Sequence, residues 1–163
     1  MQTQPGSQTV ATLIEFAIAA EKASQELYAR LTQRYSYLPQ VADFWQKMSL
    51  DENAHARSLE KIRDSLTPEQ LLAPVDPVVF EQAKRNASLS VEDKLNPIST
   101  LEDAYQLAHD LEHSEINTVF EFITAEFVSL DVQREFVTAQ LKKHVARLGE
   151  FPVAYRFLDK PSE

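Results

Sequence analysis

Glu52 and His55 stand three positions apart in "SLDENAHARSLEKI", residues 49–62, on the side of a helical pattern that also carries Trp45, Met48, Leu59 and Ile62. Residues three or four apart share one face of a helix, so this carboxylate and this imidazole point inward together. An ionised carboxylate among apolar side chains costs several kcal/mol (roughly) unless something compensates it. The same inward phase recurs in three other segments. Glu21 follows Leu13, Ala17 and Ala20 and precedes Ser24 and Tyr28, whereas Glu15 and Glu26 point elsewhere. "HDLEHSEI" places Glu112 and Glu115 three apart beside Ala108, Leu111, Ile116 and Val119. His144 lies between Leu141 and Leu148, with Val137 one turn further back.

Each residue alone has a bland reading. A Glu-x-x-His in a Glu-rich helix is commonly a solvated pair, and a lone inward histidine is commonly a hydrogen-bonded core residue. The set is more informative. Glu21 to His55 is 34 positions and Glu112 to His144 is 32, so two helical hairpins repeat one arrangement at nearly one spacing. Folding each hairpin about a short turn brings four carboxylates and two imidazoles to one height. Four carboxylate charges balance two divalent cations, and His with Glu suits iron, manganese or zinc rather than calcium, which takes all-oxygen sites.

Four long amphipathic segments position these groups: about Thr12–Tyr35, Gln40–Leu66, Thr100–Val128 and Leu130–Leu148, the last stopping at Gly149. Ser99 or Thr100 caps the third, with acidic residues in its first turn. The segment from 67 to about 99 holds Pro68, Pro74, Pro77 and Pro97, with a short helix expected over "PVVFEQAKRNA". Two tight hairpins joined by one long crossover is the ferritin-like form of the four-helix bundle. The expected architecture is therefore all-α, a single ferritin-like domain over residues 1–163. Its tail, 150–163, is apolar enough for Phe151, Tyr155 and Phe157 to dock on the bundle.

Composition narrows the function. The net charge is −9 and the isoelectric point about 4.9, which argues against nucleic acid as a partner. There is no cysteine, so disulfides, thiolate metal sites and thiol catalysis are excluded within these 163 residues. "MQTQPGSQTV" has neither a basic start nor an apolar stretch, and no run reaches the ~18 apolar residues of a membrane span. The expectation is a cytoplasmic protein without a membrane partner.

The stretches "FAIAAEKASQELYARL", "DENAHARSLEKI" and "AHDLEHSEINTVFEFI" resemble the rubrerythrin-like branch of the ferritin-like proteins over roughly residues 10–150. The resemblance implies that Glu21, Glu52, His55, Glu112 and His144 are metal ligands. It also implies that Glu115 is the additional third-helix carboxylate of rubrerythrins. Two Fe ions would then be the cofactor, with Mn or Zn as substitutes, and peroxide or dioxygen the substrate. The sequence departs from that pattern in two places. Leu141, beside Gln140, stands three before His144 where a glutamate belongs, so Glu115 would have to supply the missing carboxylate. The cysteine-ligated domain that delivers electrons in full rubrerythrins is missing, so turnover would need an external electron donor. His109, one turn before Glu112, reads as a partner of a ligand, His113 as exposed, and Tyr28 and Tyr105 mainly as core packing. A homodimer or larger homo-oligomer is expected.

Two other readings compete. One is a ferritin-like module that sequesters or senses iron, or holds a single ion, without turnover. The other is a structural bundle whose inward acids pair with Lys or Arg.

Overall fold

The computed structural model describes residues 8–128 and 130–152. Its first two helices are α1, Val10–Arg34, and α2, Pro39–Ser65, joined by the short turn "YSYL" as an antiparallel hairpin. Thr9 caps α1 through its side-chain oxygen, and Pro39 opens α2 at a position where its missing N–H has no consequence. Their facing stripes bury Leu13, Ala17, Leu27 and Leu31 against Phe44, Met48, Leu59 and Ile62.

The crossover is more ordered than one short helix. It contains α3 (Pro68–Leu72), α4 (Pro77–Ala87) and α5 (Val91–Leu95), each opened by a side-chain cap from Thr67, Asp76 or Ser90. α4 occupies the segment expected for it and lays Phe80 and Ala83 into the bundle, with the Phe80 ring edge-on to Phe16 at 5.5 Å. A single backbone bridge, Thr9 to Pro74, ties the crossover to the start of α1.

The third long helix is broken. α6 (Leu101–Glu112) and α7 (Glu115–Phe127) replace the continuous helix expected to Val128. The local sequence "EHSEIN" explains the break. Ser114 caps α7 by accepting from the Ile116 N–H while donating to the Leu111 carbonyl, and Asn117 donates to the Glu112 carbonyl at 2.6 Å. These short polar side chains take over backbone partners that a continuous helix would have used.

α8, Asp131–Arg147, completes the bundle and runs into a 3₁₀ turn, Leu148–Glu150, that contains Gly149. Phe151 is buried, edge-on to Phe44 and beside Trp45 and Tyr105, as expected for the start of the tail. Tyr155 and Phe157 lie outside the described residues. Among the described residues no helix is long and apolar enough to cross a membrane.

The apolar core falls into two blocks. One gathers Tyr28, Leu31, Trp45, Met48, Leu101, Ala108 and Leu148, the other Leu13, Ile14, Leu59, Phe120, Ile123 and Leu141. Along α2 and α8 Glu52, His55 and His144 lie between the blocks, and on α1 Glu21 lies next to their boundary.

Candidate metal centre

Glu21, Glu52, His55, Glu112 and His144 are each at least 96% removed from solvent. They come from α1, α2, α6 and α8, so each of the four arms contributes. His55 Nδ1 lies 3.6 Å from both Glu21 Oε2 and Glu52 Oε2. His144 Nε2 lies 2.5 Å from Glu52 Oε1 and 2.9 Å from Glu112 Oε2. Glu52 is thus the hub, facing both imidazoles, which cross nearly at right angles 4.9 Å apart.

Around this group stand residues that the spacing did not single out. Asp51 Oδ2 lies 3.0 Å from His144 Nδ1 and accepts from Arg147 Nε at 2.8 Å. A carboxylate that holds one ring nitrogen fixes the orientation of the other, as outer partners of metal-binding histidines do. Tyr28 donates its hydroxyl to Glu112 Oε1 at 2.5 Å and stacks on Trp45, so its role exceeds the packing expected for it. Asn117 reaches Glu112 Oε2 at 3.4 Å. Tyr28 sat seven residues after Glu21 on one stripe, a signal that it shares the centre's face. Asp51 adjoins Glu52 in sequence, about 100° around the helix and therefore toward a neighbouring arm.

Two expectations are corrected. Glu115 does not join the cluster: the break at His113–Ser114 makes it the first residue of α7, and it forks onto Arg85 at 2.9 and 3.0 Å on the surface. His109 does not support a ligand either. It is exposed, lies 3.6 Å from Asp110 and stacks on His113, itself exposed as expected. Tyr105 packs on Phe151, away from the acids. Among the described residues no Lys or Arg reaches the inward acids; their ionic partners are the two histidines, while Arg147 pairs with Asp51 and Glu150.

The acids and imidazoles of this group shift one another's proton affinities. Burial raises the Glu21 carboxyl well above its usual range, reinforced by the charge of Glu52. Burial also opposes ionisation of Glu52, but Glu21, His144 and His55 around it outweigh that and hold it well below the usual range. Burial would lower both histidines, yet the acids around them prevail, lifting His55 to about 10 and His144 to about 12. Glu112 is raised by burial and by the charge of Glu52, against the contacts from His144 and Tyr28. The imidazoles and the Glu21 carboxyl are thus drawn toward their protonated forms beside Glu52, which is drawn toward its ionised form.

Those protons do not satisfy the geometry. Glu21 Oε2, His55 Nδ1 and His144 Nε2 are buried without a well-aligned hydrogen bond, although oxygen and nitrogen atoms crowd within 4 Å. Buried polar atoms left in that state are rare. One donor atom each from Glu52, His55 and His144 lies within 4.8 Å of the other two. Carboxylate oxygens and imidazole nitrogens converging in this way suit a divalent transition metal, and the donor set fits iron. A cavity of about 130 Å³ lined by Asp51, Ala54, His55, Gln140, Lys143 and Arg147 leads to this group from the α2–α8 side. That is room for a few water-sized molecules, since each takes ~30 Å³ of liquid volume.

Comparison with known proteins agrees with the site. The rubrerythrin family model matches residues 12–136, a span that includes Glu21, Glu52, His55 and Glu112 and stops short of His144. No curated protein and no solved structure matches the chain. With an all-helical bundle and a buried carboxylate–histidine cluster at its centre, the chain belongs to the rubrerythrin family.

Proposed function

We propose that the chain is an iron protein of the rubrerythrin type that reacts with a small oxidant, peroxide or dioxygen, and so oxidises Fe(II) or removes the oxidant. The observation that carries this reading is the set of converging donor atoms on Glu21, His55 and His144, none in a well-aligned hydrogen bond, around the Glu52 carboxylate. Glu52, His55 and His144 would hold the metal, with Glu21 and Glu112 flanking it. Bound iron would supply electrons to the oxidant, and a donor outside these 163 residues, which hold no cysteine, would return them.

The chain's own residues would do the rest. Asp51 fixes the His144 ring, and Tyr28 holds a hydroxyl proton on Glu112 Oε1. Phe120 lies against His55 at 5.0 Å and helps keep water out. Metal uptake must displace the protons on the imidazoles and on Glu21, so affinity rises with pH. The cavity beside His55 admits only small molecules, which fits peroxide or dioxygen better than an organic substrate.

The test is to load metal-free protein anaerobically with Fe(II), remove unbound iron, add peroxide, and follow absorbance while assaying the peroxide consumed. Retained iron that oxidises as peroxide disappears supports the reading. Retained iron that peroxide does not oxidise would favour a sequestering module, the reading in which the oxidant chemistry is absent.

A further inference from the structure

We infer that this centre, if it binds iron as proposed above, holds one ion per chain tightly, and that Leu141 is the residue that removes the second position. The two-metal template in a bundle of this kind takes one glutamate from each of two helices and a Glu-x-x-His from each of the other two. α2 supplies its pair intact as Glu52 and His55, while α1 and α6 supply Glu21 and Glu112. α8 supplies His144 but presents Leu141 one turn earlier, 4% exposed and packed in the apolar block with Phe120 and Ile123. A hydrocarbon occupies the place of an oxygen donor.

Among the described residues no other carboxylate takes its place. Glu115, the remaining carboxylate near the α6–α7 break, is turned outward into a forked ion pair with Arg85. Gln140, beside Leu141, has a buried side-chain oxygen without a hydrogen-bond partner, but an amide oxygen is neutral and cannot replace the charge. The Glu112 side is further committed, with one carboxylate oxygen accepting from Tyr28 and the other facing His144. The described residues accordingly gather one compact donor group, Glu52, His55 and His144. A second divalent ion would have to share these donors, with three buried carboxylates against four positive charges. Its affinity therefore falls below that of the first.

The experiment is a count. Metal-free protein is loaded anaerobically with excess Fe(II), passed through a desalting column, and assayed for iron per chain by mass spectrometry. The wild-type chain, Leu141→Glu and Glu115→Gln are compared, with circular dichroism to verify folding. The expected result is one iron in the wild type, two in Leu141→Glu, and one in Glu115→Gln. Two irons in the wild type overturn the inference, and a fall to one in Glu115→Gln would then show which carboxylate completes the site. One iron in a well-folded Leu141→Glu overturns the role given to Leu141. Should that variant fail to fold, the wild-type count decides the stoichiometry. Leu141→Asp then tests the position with a shorter carboxylate: a second iron that is retained supports the role of Leu141, and none retained counts against it. No iron in any variant would overturn the iron reading itself, a result distinct from the others.

Discussion

The two hairpins carry the same chemistry at nearly the same spacing, yet they are built differently. In the first, α1 and α2 are uninterrupted and deliver Glu21, Glu52 and His55 to one level. In the second, the leading arm is broken between α6 and α7, and α8 buries only Leu141 and His144 of its 17 residues. The α1 helix buries 11 of its 25. The first hairpin thus holds its donors by its own packing. The second depends on polar side chains, Asp51 (itself held by Arg147) on His144 and Asn117 at the helix break, to keep two donors in place. The difference shows that a repeated pattern of ligand types does not guarantee a repeated site. What one hairpin does with backbone regularity, the other does with individual hydrogen bonds, and it loses one donor in the process.

That contrast is open to test in order of effect. Replacing the hub should be most severe. Glu52→Leu faces both imidazoles and should lower Fe(II) affinity by more than about 100-fold, beyond the range typical of outer partners. The same change should destabilise the metal-free form, because it strips both buried imidazoles of the carboxylate they share. Competition with a chelator and thermal melts of both forms check the two halves. Asp51→Asn should come next, costing about 10–100-fold in affinity by releasing the His144 ring. If the second hairpin needed no such support, affinity would be unchanged.

Tyr28→Phe leaves Glu112 Oε1 buried without its donor and should cost about 1–3 kcal/mol of stability in chemical denaturation. The metal-free protein should also respond to pH. The folded-state values of His55 and His144, about 10 and about 12, lie above the ordinary value of 6.5. Their stabilisation is therefore complete below that ordinary value and is lost as pH rises toward and through the folded values. The raised Glu21 acts in the same direction. Melting temperature of metal-free protein should fall steadily on the alkaline side of neutrality, and iron-loaded protein should show less of this fall. Smallest of all, Glu115→Gln breaks only an exposed ion pair with Arg85 and should change stability by less than about 1 kcal/mol.

The parts of the centre that follow helix phase were legible in the sequence. Glu21, Glu52, His55, Glu112 and His144 each sit on an apolar stripe, and the stripe dictates which way they face. Glu115 was placed wrongly because the same phase was carried through "EHSEIN", where Ser114 and Asn117 redirect the backbone hydrogen bonds and end the helix. Propensity and periodicity do not register a break whose cause is a few specific side-chain contacts. His109 was misplaced by the opposite oversight, since it lies on the edge of its stripe and turns outward to Asp110 and His113. Asp51 could not be read at all, because its partner lies 93 positions away and only the packing of α8 on α2 brings them together. Tyr28 was ambiguous until Glu112 was found opposite it, since an aromatic ring on a core stripe is compatible with packing alone.

The central claim is that the Glu52–His55–His144 group is a metal site. It is tested most directly by a crystal structure of Fe(II)-loaded protein with anomalous diffraction measured at the iron absorption edge. The account predicts a dominant iron peak in the bundle core, in contact with Glu52 and both histidines, and no second peak of equal height beside Glu112. A core without an iron peak, or iron found only on surface carboxylates such as Glu115, would contradict it.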